Sequence, residues 1–102
     1  MPTLIKWAQF TLVDRILYVA QASVALSENE AIIMKALIAN APAVVKKEQL
    51  FTALWGSSEF VDENILQVNM TRLRKTVEKV GVSQSIKTVR GVGYQLIGGE
   101  TS

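Results

Sequence analysis

Residues 62–80 read Asp62-Glu63-Asn64-Ile65-Leu66-Gln67-Val68-Asn69-Met70-Thr71-Arg72-Leu73-Arg74-Lys75-Thr76-Val77-Glu78-Lys79-Val80. At about 100° per residue, Leu66, Met70, Leu73 and Val77 fall on one narrow stripe, with Val80 close to it. The spacing predicts a helix over about 63–80 that buries this stripe, with Asp62 as its cap and Gly81 as its stop. The opposite face carries Asn64, Val68, Thr71, Arg72, Lys75 and Lys79, with Gln67, Asn69 and Arg74 on the flanks. A merely solvated face would show Glu/Lys pairs four residues apart and no exposed Val. Cations, amides, a hydroxyl and one small aliphatic are what a DNA duplex takes. Lys and Arg neutralise phosphates, Arg and Asn pair with guanine or adenine edges, and an aliphatic such as Val68 can touch a thymine methyl.

Outward from this helix, Ile86 to Val89, the turn Arg90-Gly91-Val92-Gly93 and the run from Tyr94 to Ile97 read as a β-hairpin over 86–97. On the other side, the chain predicts a short helix over about 47–55, burying Leu50, Phe51 and Leu54 and ended by Gly56. Its cap, Lys46, is a poor one. Ala43-Val44-Val45 before it reads as an extended connector, and Ser57 to Phe60 after it as a loop. A first helix over about 28–39 opens with the capping box Ser27-Glu28-Asn29-Glu30 and carries the core stripe Ile33, Met34, Leu37 and Ile38. Residues 3–26 alternate, are rich in β-formers and predict two or three short antiparallel strands. No internal repeat or linker is visible. The expected fold class is α+β: a single winged helix-turn-helix domain over 1–102, with an N-terminal antiparallel sheet, three helices and a C-terminal β-hairpin wing. In that arrangement the third helix enters the major groove, and Arg90 at the wing tip can reach a minor groove.

Composition narrows the chemistry. The 102 residues have room for one domain, and neither His nor Cys is present. Structural zinc, Cys or His nucleophiles, a Ser-His-Asp triad and disulfides are thereby excluded, and no metal or other cofactor is expected. Charged residues Lys6, Asp14 and Arg15, with Gln9, interrupt the apolar N-terminus; Lys35, Asn40 and Pro42 interrupt residues 31–45. Neither stretch reaches the about 18 apolar residues of a membrane span, so a cytoplasmic protein without membrane partners is expected. Net charge is +2, but its distribution is uneven: residues 1–60 balance five cations against five anions, whereas 61–97 carry six against three. The basic excess lies where an anionic partner would bind.

Several strings occur in order along the chain: Leu26-Ser27-x-x-Glu30, Val44-Val45-Lys46-Lys47-Glu48-Gln49-Leu50, Leu54-Trp55-Gly56, Arg72-Leu73-Arg74-Lys75 and Lys87-Thr88-Val89-Arg90-Gly91-Val92-Gly93-Tyr94. Together they resemble the C-terminal effector domain of the OmpR/PhoB family of bacterial two-component response regulators, over nearly the whole chain. The resemblance implies a four-stranded N-terminal sheet, three helices and a wing. It implies transcription regulation by sequence-specific binding to double-stranded DNA, as a pair of regulators on tandem half-sites. The DNA-facing positions it carries over are Arg72, Arg74, Lys75, Thr88, Arg90 and Tyr94; Asn64, Val68 and Thr71 join them from the helix face. The loop from Gly56 to Phe60, with Ser57, Ser58 and Glu59, corresponds to the segment that meets RNA polymerase in this family. Lys46 stands in place of a Ser or Thr cap, Gln67 in place of a common Asp, and Asn69 in place of a His. The run from Phe60 to Asn69 looks like the subgroup that responds to cell-envelope antibiotics or antimicrobial peptides.

A receiver domain would need about another hundred residues, so phosphoryl donors are expected to leave DNA affinity unchanged. A free monomer, paired only on DNA, is expected because no long apolar stripe remains exposed. Two other readings compete. Gly91-Val92-Gly93 superficially suggests the nucleotide loop of an enzyme, but the third glycine and the following helix are missing, and Asp62 and Glu63 read as capping groups rather than paired acids. A winged-helix module that binds protein or RNA is the alternative, and weak salt dependence with duplex DNA would mark it. Trp7 and Trp55 read as core or core-rim residues, Trp55 nearer the DNA edge.

Overall fold

Three two-residue turns fold the N-terminal stretch into a meander. In the computed structural model, which describes residues 4–57 and 62–98, strands β1 (Leu4–Trp7), β2 (Phe10–Val13), β3 (Ile16–Val19) and β4 (Ala22–Ala25) pair antiparallel in chain order. Four strands form where alternation alone suggested two or three, as the family resemblance implied. The turns begin at Ala8, Asp14 and Ala20, all with positive φ (53°, 55° and 56°). Asp14 is a usual turn residue, but that conformation is costly for alanine, so the turns at Ala8 and Ala20 carry no conventional marker in the sequence. Phe10, Leu12, Leu17 and Val19 turn inward to the core.

Helix α1 (Glu28–Asn40) lies against β1 and β2 and also touches α2, α3 and the C-terminal sheet, which makes it the centre of the packing. Its capping box forms in full. The Glu30 N–H donates to Ser27 Oγ at 3.2 Å, and the Ser27 N–H donates to Glu30 Oε1 at 2.8 Å. Ile33, Met34 and Leu37 are completely buried and Ile38 nearly so, the core stripe read from the sequence.

Helix α2 (Lys47–Trp55) ends at Gly56, whose φ of 78° is left-handed. Its start is better satisfied than Lys46 suggested. Lysine has no acceptor to offer, but Gln49 Oε1 accepts from the Lys46 N–H at 2.9 Å, and the Val92 carbonyl accepts from the Lys47 N–H at 3.0 Å. The end of the expected extended connector does more than connect: Val45, with the cap residue Lys46, forms a short strand, β5, paired antiparallel with Tyr94 and Gly93.

Helix α3 spans Glu63–Glu78, two residues shorter than the periodicity suggested, because Lys79 and Val80 bond three residues back in a tightened last turn. Leu66, Met70, Leu73 and Val77 are its buried residues. A single 3₁₀ turn, Ser83–Ser85, leads into β6 (Ile86–Val89) and β7 (Gly93–Leu96). These two strands form the expected hairpin, and β5 extends it to a three-stranded sheet in the order β5-β7-β6. The architecture is a winged helix: a four-stranded sheet, three helices and a C-terminal hairpin.

Candidate nucleic-acid interface

Helix α3 is held in place from every side but one. At its start, Asp62 Oδ1 accepts from the N–H groups of Asn64 (3.0 Å) and Ile65 (3.3 Å). Glu63 bonds the Lys47 ammonium of α2 at 2.6 Å, a bond that raises the Lys47 pKa above its ordinary value. On the α1 flank, Thr76 Oγ1 donates to Glu30 Oε2 at 2.8 Å, so one buried carboxylate serves both the α1 cap and α3. On the hairpin flank, the Arg74 guanidinium donates to the Ile86 carbonyl (3.1 Å) and to Thr88 Oγ1 (2.8 Å). It also lies 5.9 Å from the centre of the Tyr94 ring.

What remains uncovered is the outer face. Asn64, Val68, Thr71, Arg72 and Lys75 are all exposed on it, with Val68 keeping 49 % of its surface. Thr71, Arg74, Lys75 and Thr88 meet in an open groove of about 580 Å³ between α3 and the hairpin, also lined by Glu78 and Lys87. Asn64, Val68 and Arg72 line a separate hollow with Ile65 and Asn69. Arg90 is exposed at the hairpin tip, beside Gly91 at φ 74°. Cations thus ring the groove from both walls, and one carboxylate, Glu78, lies among them.

Not every residue picked from the sequence lies on this surface. Tyr94 is buried, at 7 % exposure, because β5 and the Arg74 side chain cover it; burial pushes its phenol above the ordinary value, with Arg74 opposing the shift. It supports the groove rather than lining it. Arg74 is only half-exposed and already engaged. Ser57 is exposed just after Gly56, while Ser58 and Glu59 lie outside the described residues. Sequence reasoning overlooked Lys87 and Ile65 as surface groups beside the site. Ile65 had a signal: it lies off the buried stripe and three residues before Val68.

The two glycines of Gly91-Val92-Gly93 have structural tasks. Gly91 takes the left-handed turn, and a Cβ on Gly93 would collide with the Val45 carbonyl oxygen of β5. Trp55 is 45 % exposed although its ring packs on Phe51 at 4.7 Å, and Trp7 stacks on Phe10 at 6.3 Å.

Residues 21–96 match the family described as "Transcriptional regulatory protein, C terminal". The chain belongs to this family. It is 41% identical over 69 residues to the response regulator protein GraR of Staphylococcus aureus, a match that covers 68% of this chain and 31% of GraR. The chain thus spans about a third of the length of the curated relatives it matches. Among solved structures, the C-terminal domain of the nisin resistance regulator NsrR, a lantibiotic response regulator, superposes with a TM-score of 0.76 at 42% identity, covering 90% of this chain and 94% of that one. The DNA-binding domain of Klebsiella pneumoniae RstA, solved with the RstA box, has a TM-score of 0.78 at 24% identity, covering 94% and 98%, and speaks for the shared fold. The resemblance to OmpR/PhoB effector domains is borne out. The family is one of transcriptional regulators and not of enzymes. Among the described residues, no helix is long and apolar enough to cross a membrane.

Proposed function

We propose that this chain binds double-stranded DNA sequence-specifically and regulates transcription as the output domain of a two-component response regulator. The observation that carries this reading is the one uncovered face of α3, with its cations, amide and hydroxyl, bordered by a basic hairpin that Arg74 ties to it. In the major groove, Arg72 and Asn64 address base edges and Lys75 a phosphate, with Val68 and Thr71 between them. Thr88 and Arg90 of the wing reach the backbone and the adjoining minor groove. Arg74 and Tyr94 fix the angle between helix and wing, which sets the spacing of these contacts.

Two chains occupy tandem half-sites, each a monomer when free, and the protein works in the cytoplasm. The segment from Gly56 to Phe60, with Ser57, Ser58 and Glu59, is the one that meets RNA polymerase. The name of NsrR, a regulator of nisin resistance, supports an envelope-antibiotic response as the setting.

The test is a competition titration followed by fluorescence anisotropy, with one labelled duplex DNA against unlabelled duplex DNA, single strands and duplex RNA. Duplex DNA should compete best by a wide margin, since A-form RNA closes its major groove to a helix. Equal competition by RNA, or no duplex binding at low salt, would favour a protein- or RNA-binding module instead.

A further inference from the structure

Ile65 and Val68 are exposed by 46 % and 49 % on a helix whose apolar stripe is otherwise buried. They are three residues apart and so adjacent on the helix surface. With Asn64, Asn69 and Arg72 they line a hollow of about 310 Å³ on the α1 side of α3, distinct from the groove beside the wing. The hollow is set, not loose. Asn69 Nδ2 donates to the Ile65 carbonyl at 3.0 Å, and Asn69 Oδ1 accepts from Asn29 Nδ2 at 3.4 Å. These two bonds fix the Asn69 amide as one wall of the hollow.

Resting on the DNA-binding reading above, we infer that the Ile65–Val68 pair is a thymine-methyl receptor that sets part of the sequence preference. The 5-methyl of thymine is the apolar group that base pairs present in the major groove. Charge selects DNA over a second protein surface as the occupant: Arg72 borders the hollow, Lys75 lies three residues further along the same face, and no carboxylate among the described residues lines it. A guanidinium at its rim and methyl contacts on its floor together favour a thymine close to a guanine.

Replacing thymine by deoxyuridine removes the methyl and keeps every hydrogen-bonding group. A duplex selected by this protein from a random pool is therefore remade with each thymine replaced singly, and affinities are measured by fluorescence anisotropy. One or two positions should lose about fourfold each, the worth of one buried methyl. In the double variant Ile65→Ala/Val68→Ala, both exposed and so harmless to the core, the thymine duplex should bind more weakly and the thymine-to-uracil ratio at those positions should fall to about one. Unaltered protein that ignores every replacement would overturn the inference while leaving DNA binding intact. So would a variant that keeps the ratio, including one whose only change is in self-association, which would assign the patch to a second copy of the chain. Failure to bind any duplex would instead overturn the DNA-binding reading itself.

Discussion

Arg72 and Lys75 share one exposed surface three residues apart, yet their side chains suit different tasks. Arg72 borders the hollow with Asn64 and Val68, where a planar guanidinium can meet a guanine edge with two parallel bonds. Lys75 lines the groove beside the wing, where a flexible point charge suits a phosphate. Arg72→Ala should cost about 1–3 kcal/mol on the preferred duplex and relax preference at one or two base positions. Lys75→Ala should weaken preferred and random duplexes alike and flatten the log affinity against log salt slope by about one unit. Parallel titrations of both variants decide the matter, and the same uniform loss from both would remove base readout from α3. At this scale periodicity made the buried stripe and the exposed face legible, because 3.6-residue spacing is a property of sequence alone. It could not show that Arg74 is spent on the Ile86 carbonyl and Thr88, or that Tyr94 lies under it, because those contacts depend on where β6 and β7 pack.

The wing is held by an element too short to read in advance. Strand β5 is only Val45–Lys46, its pairing partners are Tyr94 and Gly93 at the far end of the chain, and two residues carry no periodicity. Gly93 is the condition for that pairing, since a side chain there meets the Val45 carbonyl oxygen and the Lys46 Cα. Gly93→Ala should therefore destabilise the fold by about 1–3 kcal/mol, the usual toll of overpacking, read as a lower urea midpoint. An unchanged midpoint would mean that the β5–β7 contact contributes nothing. Gly91→Ala makes the comparison useful: it has open space around it, and its cost comes from its φ of 74° alone. The N-terminal sheet was half-legible for a related reason. Its strands have only four residues each, and two of its turns are Ala8-Gln9 and Ala20-Gln21, which lack the Gly or Asn that normally announces a tight turn.

For the whole molecule, the fold is a device for presenting α3. Helix α1 touches both sheets and both other helices, and Glu30, at its start, fastens the α1 cap to Thr76 of α3. Whatever positions α1 therefore positions the exposed face of α3. Class and topology were legible because the capping box, the stripe on α3 and the glycine-bearing hairpin each announce one element in a fixed order. The proposed function requires this surface to read sequence and not merely to attract anions. Net charge alone, at +2, would predict feeble and indiscriminate binding. The most direct measurement is the affinity for a duplex selected from a random pool, set beside that for random duplex, across a salt series from about 50 to 200 mM. A selected site should bind at least about 10³-fold more tightly than random duplex, with affinity for both falling steeply as salt rises. A selected duplex that binds no better than random DNA, or binding that does not respond to salt, would overturn sequence reading by α3.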